Sequence, residues 1–526
     1  MIRHAAGLAA VLVAVAAGHA SAAPRAVVGG RVAGLRFKPV CADFSCKSFV
    51  AIDADGKIHA DLAPPGSALG ADDLESAYHV DPALGDGQTV AIVEGTGYAD
   101  IESDLAVYRD RYGLPPCTIA SGCLTVVNDN GDTSPLPADS PGTIVEAALD
   151  MDMVSAGCPR CKILVVEGGA LGGNSTQLGQ IVAARLHANA IADSYGGPED
   201  GTELTTREGD YNNPGTGTFV STGDYGNNMV FFNLAGPSYP ATSAHVIAVG
   251  GTRLAPVDVA VNPRGWVEGA WSDAGSSCST SIPKPSYQPA SAVCGMRATS
   301  DVSAMADPNP GLAVYIAAQG GWTRVGGTSA SAPLTAAIFA GAGHSDAVPA
   351  FVYKHPDAFL DITLGQNGSC GTNMCNAGTG WDGPTGLGSI DQTKLLAIGN
   401  IAGGGPDAQI TFPADGVTLP PGFTIEATTG SDTAYLEFSV DGVIVGYENI
   451  APYQVSAPLT LASGPHTLAV TAYDVDHNSK QTMIDVTQSE AKAAGDNSSC
   501  SAGGASGGAG VLFVLGGVLA RRRRAA

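Results

Sequence analysis

The chain has 526 residues, which is enough for two or three domains. Charged residues make up only 14%, and the formal net charge of -24 at pH 7 argues against a nucleic-acid partner, which would need a basic face. The 70 glycines fit a loop-rich globular chain better than a disordered acidic one.

The N-terminus has the three parts of a secretory signal peptide. Arg3 precedes an apolar run at residues 5–17, and a small-residue cleavage site follows at residues 20–22. We expect residues 1–22 to be removed on export and residues 23–68 to form a short N-terminal segment.

Export permits disulfides, and ten of the eleven cysteines fall into close pairs. Neighbour pairing is the simplest interpretation, although Cys158 and Cys161 could instead form a redox or zinc motif. The expected pairs are Cys41/Cys46, Cys117/Cys123, Cys158/Cys161, Cys278/Cys294 and Cys370/Cys375.

From residue 69 onward, the patterns of buried strands alternate with those of helices. The apolar runs lie at residues 88–94, 162–166, 218–221 and 245–249, and the helical patterns at residues 101–112, 145–156 and 177–190. This alternation predicts a mostly parallel sheet with helices on both faces. Functional loops are then expected at the carboxyl ends of the strands.

Two acidic residues lie one helical turn apart. In the helical pattern at residues 145–156, Glu146 and Asp150 share one face. Like charges at this spacing oppose each other by roughly 0.2–0.5 kcal/mol on an exposed helix. A solvated acidic turn is the alternative interpretation. Asp152 should face elsewhere, and Glu94, after the first strand, is a candidate to lie behind Asp150.

A third carboxyl group, Asp224, follows the run at residues 218–221 in the sequence Gly-Asp-Tyr-Gly. An aspartate can donate a hydrogen bond to an oxyanion only when it is protonated. That requires burial or a neighbouring carboxylate to raise its pKa. An ordinary turn aspartate is the alternative.

A serine between small residues is expected at the start of a helix. Residues 326–333 read Gly-Gly-Thr-Ser-Ala-Ser-Ala-Pro, and a small apolar run follows at helical density. Ser329 should then lie in the first helical turn, where free N–H groups and the helix dipole favour negative charge. This position suits a nucleophile when a base is within reach. A small-residue packing turn is the alternative.

Two aspartates near residue 370 suggest a metal site. Asp361 lies in residues 359–363, and Asp382 lies in the glycine-rich residues 376–388. Two carboxylates together with glycine-exposed carbonyls form an all-oxygen set that suits a hard cation, with calcium the best candidate. Loop aspartates without a metal are the alternative.

These segments, in this order, resemble the sedolisin (serine-carboxyl peptidase) family of the subtilisin-like clan across residues 69–399. The resemblance implies a subtilisin-like α/β domain at residues 69–400. It implies that Glu146 is the general base and acid toward Ser329, that Asp150 orients Glu146, and that Asp224 serves the oxyanion hole. The implied ligands of one Ca2+ ion are the side chains of Asp361 and Asp382 and the carbonyls of Ile362, Gly378 and Gly380. Tyr195 stands where the family often has tryptophan.

The composition changes after residue 403. Residues 405–488 are rich in threonine, valine and alternating patterns, and Asp441-Gly442 is a hairpin signal. About seven short strands predict a β-sandwich. The phrases at residues 438–442 and 464–468 resemble bacterial immunoglobulin-like modules. A substrate- or surface-binding accessory and a passive spacer both remain open.

Residues 489–526 form a linker and a tail. Cys500, a weakly apolar stretch at residues 510–520 and four arginines at residues 521–524 together resemble the MYXO-CTERM type of bacterial sorting tag. The stretch is short for a stable transmembrane helix, but the arginines would hold it at the cytoplasmic face. The resemblance implies processing near Cys500 and retention at the bacterial cell surface.

We therefore expect an exported, monomeric, calcium-binding serine endopeptidase that cleaves proteins or peptides. A glutamate base has a reference pKa near ~4.3 rather than the ~6.5 of histidine, so activity should peak in acid. The alternatives are a catalytically silent cell-surface binding or adhesion protein and a neutral subtilisin-type protease.

Overall fold

A computed structural model describes residues 34–41, 45–169, 175–227, 230–231, 234–399 and 404–490. The predicted signal peptide and the predicted tail with Cys500 lie outside the described residues. Within these ranges, every helix is too short or too polar to cross a bilayer.

The α-helices of the described residues are α1 Ala71–Tyr78, α2 Ile101–Arg111, α3 Thr143–Gly157, α4 Ser175–Arg185, α5 Glu203–Thr206, α6 Thr328–Gly341, α7 Pro349–Lys354 and α8 Gln392–Leu396.

The strands up to residue 256 are β1 Arg36–Pro39, β2 Phe49–Ile52, β3 Thr89–Glu94, β4 Leu124–Asn128, β5 Lys162–Glu167, β6 Ala190–Asp193, β7 Gly197–Pro198, β8 Gly217–Ser221, β9 Val230–Phe231, β10 Leu234–Ala235, β11 Ser238–Tyr239 and β12 Ile247–Pro256. Then follow β13 Trp266–Ala270, β14 Ser277–Pro283, β15 Met296–Thr299, β16 Val302–Met305, β17 Leu312–Ile316, β18 Gly321–Gly326, β19 Phe359–Leu360 and β20 Ser389–Ile390. The C-terminal strands are β21 Ala408–Phe412, β22 Thr418–Leu419, β23 Thr424–Thr429, β24 Tyr435–Val440, β25 Val443–Glu448, β26 Tyr453–Ser456, β27 Gly464–Tyr473 and β28 Ser479–Gln488.

The largest sheet has the order β19-β20-β16-β12-β8-β6-β3-β5-β4, with β13 beside β12. Neighbours from β20 to β4 are parallel, while β13 and β19 join antiparallel. Both faces of the sheet are covered. Val90 and Ile92 of β3 pack into the core that contains α3 and α6, whereas Ala91 and Val93 pack against α4. The predicted α/β class, a mostly parallel sheet with flanking helices, is confirmed.

One predicted boundary is wrong. The helical pattern at residues 177–190 ends earlier, because α4 stops at Arg185 and residue 190 already begins β6. His187 between them has a φ of 60°, a left-handed conformation that a helix cannot continue.

Helices α3 and α6 are buried along their whole length and pack directly on each other. A methyl group at Gly157, the last residue of α3, would lie 2.8 Å from Ala337 Cβ and 2.9 Å from the carbonyl oxygen of Leu334. Only glycine fits there without a shift of one helix. This close contact fixes the spacing of the two helices at the C-terminal end of α3.

All five expected disulfides are present in the structure: Cys41–Cys46, Cys117–Cys123, Cys158–Cys161, Cys278–Cys294 and Cys370–Cys375. The predicted pairing is confirmed. The Cys158 and Cys161 side chains therefore serve a disulfide rather than a zinc site.

The C-terminal strands form a three-stranded sheet, β21-β23-β26, and a five-stranded sheet, β22-β28-β27-β24-β25. Both contribute to a separate apolar cluster that includes Ile425, Phe438 and Val470. Asp441 and Gly442, both with positive φ, connect β24 to β25 in a two-residue hairpin, as predicted. The immunoglobulin-like resemblance and the domain boundaries stay predictions.

Candidate active site

Ser329 is the second residue of α6, which follows β18 through Gly327. Gly327 has a φ of +137°, which side chains rarely allow, and this turn places the serine at the helix start. Ser329 is completely buried. Its hydroxyl donates to the carbonyl oxygen of Ser194 at 3.3 Å and accepts from the N–H of Lys47 at 3.0 Å.

Glu146, on the first turn of α3, is the carboxyl group next to this hydroxyl. Burial raises its pKa to about 7, while hydrogen bonding by the Ser329 and Ser48 hydroxyls and the charge of Lys47 act in the opposite direction. The Ser48 hydroxyl donates to Glu146 Oε2. Among the described residues, Oε1 has no hydrogen-bond partner of ordinary geometry. Glu146 is thus placed to exchange a proton with Ser329.

Asp150 and Glu94 extend this site into a carboxyl cluster, which we define as Glu94, Glu146 and Asp150. Burial raises the pKa of Asp150 well above its usual value, and the negative charges of Glu94 and Glu146 raise it further. Burial and the charge of Glu146 likewise raise the pKa of Glu94, whose Oε2 accepts from the Tyr195 hydroxyl at 3.0 Å. Three buried carboxyls this close share protons rather than carry three charges.

Asp224 follows β8 and faces the first turn of α6. Its Oδ1 accepts from both the N–H and the hydroxyl of Thr328, each at 2.8 Å. Oδ2 has no hydrogen-bond partner within the described ranges. Burial raises the pKa of Asp224 well above its usual value, which favours the protonated form of the group. A protonated Oδ2 can donate a hydrogen bond.

A peptide carbonyl already lies beside Asp224. The N–H of Ser329 donates to the carbonyl oxygen of Lys47 at 3.0 Å. A methyl group at Gly327 would lie 2.2 Å from that oxygen and 2.5 Å from Asp224 Oδ2, so both oxygens border one small space. The Ser329 N–H and a protonated Asp224 can therefore stabilise negative charge on the same oxygen.

The structure also contains site residues that the sequence patterns did not indicate. Residues 45–48, which we call the cleft segment, cross the site. Asp193 is the last residue of β6, and Ser194 follows it at the carboxyl end of that strand. Asp193 is buried, and burial raises its pKa to about 7. The position of Asp193 at the carboxyl end of a parallel strand was a usable signal. The cleft segment had none, because its partners lie far away in the sequence.

Asp152 is buried on α3, but its electrostatic neighbours are Asp104 and Arg109 rather than Ser329. It therefore lies outside the carboxyl cluster.

Asp361 and Asp382 lie in neighbouring loops. Gly380 N–H donates to Asp361 Oδ2 at 3.0 Å, and Gly378 N–H donates to Asp382 Oδ2 at 2.9 Å. Burial raises the pKa of Asp382 to about 7, and the negative charge of Asp361 adds to this. Two mutually repelling carboxyls fit a cation.

Among the described residues, no group of three or more His, Cys, Asp and Glu side chains could hold a metal. A cation beside Asp361 and Asp382 would therefore need backbone oxygens as well. The carbonyls of Ile362, Gly378 and Gly380 are the candidates that the sequence resemblance implies, and these are neutral oxygen ligands of the kind calcium accepts.

Comparison with known proteins shows which proteins this chain resembles. No family model matches the chain. The chain is 33% identical over 360 residues to kumamolisin from Bacillus sp. (strain MN-32), with 62% of each chain covered. It is 36% identical over 177 residues to sedolisin from Pseudomonas sp. (strain 101), with 30% of each covered. The chain thus spans less than two thirds of the length of these curated relatives.

The fold is similar to that of Pseudomonas sedolisin, a serine-carboxyl proteinase solved in complex with two molecules of pseudo-iodotyrostatin. The TM-score is 0.54 at 24% identity, and the match covers 63% of this chain and 97% of that one. The chain is thus similar in sequence to kumamolisin and sedolisin, and its fold is similar to that of Pseudomonas sedolisin.

Proposed function

We propose that this protein is a serine-carboxyl endopeptidase that hydrolyses peptide bonds in proteins through an acyl-enzyme on Ser329. One observation carries the proposal. A peptide carbonyl accepts a hydrogen bond from the Ser329 N–H, with the Ser329 hydroxyl, the Glu146 carboxyl and Asp224 around it. The named relatives, kumamolisin and sedolisin, agree with a protein or peptide substrate.

The proposed reaction uses the chain's own groups. Glu146 accepts the hydroxyl proton as Ser329 attacks the carbonyl carbon, and Asp150 supports Glu146 from the next helical turn. The Ser329 N–H and protonated Asp224 stabilise the oxyanion. Glu146 then gives the proton to the leaving amine, and water releases the acyl group by the same steps in reverse order.

The proposed pH range is acid. Asp224 must keep its proton to act as a donor, and ionisation of the rest of the carboxyl cluster would add like charges to a buried site. Glu146 must lose its proton to act as a base. Burial is the main cause that raises the pKa of Glu146, so water that enters with an open cleft lowers that pKa. The expected profile is a bell with its maximum below neutrality.

We also propose one structural Ca2+ ion between Asp361 and Asp382. Its support is the pair of neighbouring carboxyls and the glycine-rich loop between residues 376 and 388. When bound, the ion would neutralise two like charges and tie two loops together. No proton transfer in the proposed reaction involves it.

Export and retention at the bacterial cell surface complete the proposal. The five disulfides are typical of an oxidising compartment, which fits the signal peptide at residues 1–22. Anchoring through residues 489–526 and a monomeric state are proposed on the sequence alone.

A digestion assay tests the peptidase activity. A denatured protein is incubated with the wild-type chain and with Ser329→Ala, from about pH 3 to 8. We expect hydrolysis by the wild type at acid pH, a fall toward neutrality and only background hydrolysis by Ser329→Ala. Equal activity of the two chains would contradict the proposal, and a maximum above neutrality would favour a neutral subtilisin-type mechanism.

A further inference from the structure

The two sheets formed by β21 to β28, which we call the C-terminal sheets, contact the α/β part of the chain through histidines and aspartates. From the α/β part come His344 and Asp346, between α6 and α7, and His355, directly after α7. From the C-terminal sheets come Asp476 and His477, in the turn between β27 and β28. We call these five residues the histidine contact. Five side chains that titrate in acid thus meet where two parts of the chain join.

Asp346 accepts hydrogen bonds from the C-terminal sheets. Its Oδ2 accepts from the Tyr435 hydroxyl at 2.6 Å and lies 2.8 Å from Nδ1 of His477. Burial alone would raise the pKa of Asp346, but its hydrogen bonds with His477 and Tyr435 and the positive charge of His477 outweigh burial and lower it. The docked arrangement therefore favours the ionised form of Asp346.

Asp476 makes the same kind of contact in the opposite direction. Its Oδ1 lies 2.7 Å from Nε2 of His355, and its Oδ2 accepts from Nζ of Lys354. Burial raises the pKa of Asp476, but the hydrogen bonds and positive charges of Lys354 and His355 outweigh burial and lower it. A second ionised aspartate therefore joins the two parts.

Two buried ring nitrogens at this contact have no partner. His344 and His477 are 2% and 6% exposed, and their ring centroids are 5.3 Å apart. His344 Nε2 lies 3.1 Å from the carbonyl oxygen of Leu395, and His477 Nδ1 faces Asp346. Among the described residues, His344 Nδ1 and His477 Nε2 have no hydrogen-bond partner. A proton added to either nitrogen would be a buried N–H group without an acceptor, which is costly.

The surroundings of His344 disfavour its charged form. Burial lowers the pKa of His344, and the positive charges of His477 and His355 lower it further, while the negative charge of Asp346 acts in the opposite direction. The apolar ring of Phe351 packs beside both buried histidines, with its centroid 4.9 Å from that of His344 and 5.2 Å from that of His477. Docking therefore favours a neutral His344.

Other contacts between the two parts are made by groups that do not titrate in acid. Asn212 and Asn449 exchange side-chain hydrogen bonds at 3.0 and 2.6 Å. A methyl group at Gly215 would lie 2.6 Å from Cε1 of Tyr447, so the two parts also pack closely there. The pH dependence of docking should come from the histidine contact rather than from these groups.

The titration of the histidine contact has one main direction. A pKa that docking lowers means that the docked state binds fewer protons, so its contribution is lost as pH falls. For His344 the loss begins below about pH 6.5, and for Asp346 and Asp476 below about pH 4. Glu437 acts the other way, because burial and the negative charge of Asp346 raise its pKa. Three groups therefore favour release in acid and one opposes it.

We propose that the histidine contact docks the C-terminal sheets onto the α/β part near neutral pH and releases them in acid. Acid adds positive charge to His344 and His477 beside Lys354 and removes the negative charge of Asp346 and Asp476, so that attraction becomes repulsion. The inference does not depend on the proposed peptidase activity. Its consequence is that the C-terminal sheets become free to move in the pH range where we propose that hydrolysis is fastest.

The test measures the radius of gyration of the full chain by small-angle X-ray scattering, from about pH 7.5 to 3. The chain carries Ser329→Ala so that it cannot digest itself, and far-UV circular dichroism at each pH reports whether it stays folded. The radius should be constant near neutrality and should rise in acid while the circular dichroism is unchanged.

Two further substitutions should move the midpoint of this rise in opposite directions. His344→Phe keeps a ring of similar shape that cannot gain a proton, so its midpoint should fall by about one pH unit. Asp476→Asn removes the charge that holds Lys354 and His355, so its midpoint should rise by a similar amount. A role in packing alone would not produce shifts of opposite sign.

The matched control is His466→Gln, which breaks a histidine–aspartate pair that lies entirely within the C-terminal sheets and should leave the midpoint unchanged. Should His344→Phe fail to fold, Asp476→Asn decides the matter alone. The inference is overturned if the radius stays constant down to about pH 3, or if it rises only when the circular dichroism signal is lost. It is overturned equally if either folded variant keeps the midpoint of the control.

Discussion

The two carboxyl oxygens of Asp224 have different surroundings, and we expect different functions for them. Oδ1 accepts two hydrogen bonds from Thr328, which fix the orientation of the group. Oδ2 is the oxygen that borders the Lys47 carbonyl. In asparagine, Oδ1 could accept the same two hydrogen bonds, and Nδ2 would take the place of a protonated Oδ2 without titrating.

Asp224→Asn should therefore keep acid activity within about tenfold of the wild type, whereas Asp224→Ala should lose about 10²–10³ in kcat. The alkaline limb of the pH profile should move upward in Asp224→Asn, because its donor has no proton to lose. The measurement is kcat against pH for the three chains. An asparagine variant as inactive as the alanine variant would speak against a donor role.

At the residue scale, the sequence indicated those candidate site residues that belong to a short local motif. Ser329 lies between small residues at a helix start, and Glu146 and Asp150 lie one turn apart on a helix. The positions of Lys47 and Ser48 in the site could not be inferred in that way. Lys47 meets residues 194–196 and 329 only after the sheet, α3 and α6 have assembled, and its neighbours in sequence carry no sign of those contacts.

The contact between α3 and α6 determines where Glu146 stands relative to Ser329. Gly157→Ala would push a methyl group into Ala337 and Leu334. We expect the free energy of unfolding to fall by about 1–3 kcal/mol and peptidase activity to fall with it, because overpacking displaces the helices. The measurement is urea unfolding together with the rate of protein digestion.

Gly66→Ala is the matched control for this substitution. Gly66 is exposed, has no atom within 4 Å of an added Cβ and should tolerate alanine. If Gly157→Ala were as stable and active as Gly66→Ala, the close packing of α3 on α6 would not position the site.

The loops that carry Asp361 and Asp382 give a prediction for metal removal. A calcium chelator should lower the melting temperature, and added Ca2+ should restore it. Binding to the folded state alone contributes about 2.7 kcal/mol at a hundredfold excess of ion over its Kd. Asp382→Ala should melt at the same temperature with and without the chelator. A wild-type melting temperature that the chelator leaves unchanged would contradict the proposed ion.

At the element scale, the strands of the parallel sheet were predictable because burial on both faces produces continuous apolar runs. The runs at β3, β5, β8 and β12 are examples. The strands β1 and β2 escaped prediction because they are short and only partly buried, so their sequence shows no clear period. The hairpin between β24 and β25 was predictable from Asp441-Gly442, whose positive φ values suit few other pairs.

At the scale of the whole molecule, the buried carboxyl groups make the free energy of unfolding depend on pH. Folding raises the pKa values of the carboxyl cluster, Asp193 and Asp224, so the folded state binds protons that the unfolded chain releases. Their contribution to stability is complete below the unfolded pKa values of about 4 and is lost as pH rises toward the folded values.

The free energy of unfolding should therefore fall between about pH 4 and pH 8. Ser329→Ala is the chain to measure, because it cannot digest itself. Glu146→Gln in the same background should show a smaller fall, since a neutral amide has no proton to lose. Stability that rises over this interval would mean that these carboxyls are ionised in the folded protein.

The most direct measurement of the central claim, that a carboxyl group activates Ser329, is the rate of protein digestion by Glu146→Gln at the wild-type pH optimum. Ser329→Ala supplies the background, and a melting curve checks that the variant is folded. Because glutamine cannot take the hydroxyl proton, we expect the rate to fall by about 10²–10⁴-fold. A folded Glu146→Gln variant that digests protein at the wild-type rate would contradict the claim.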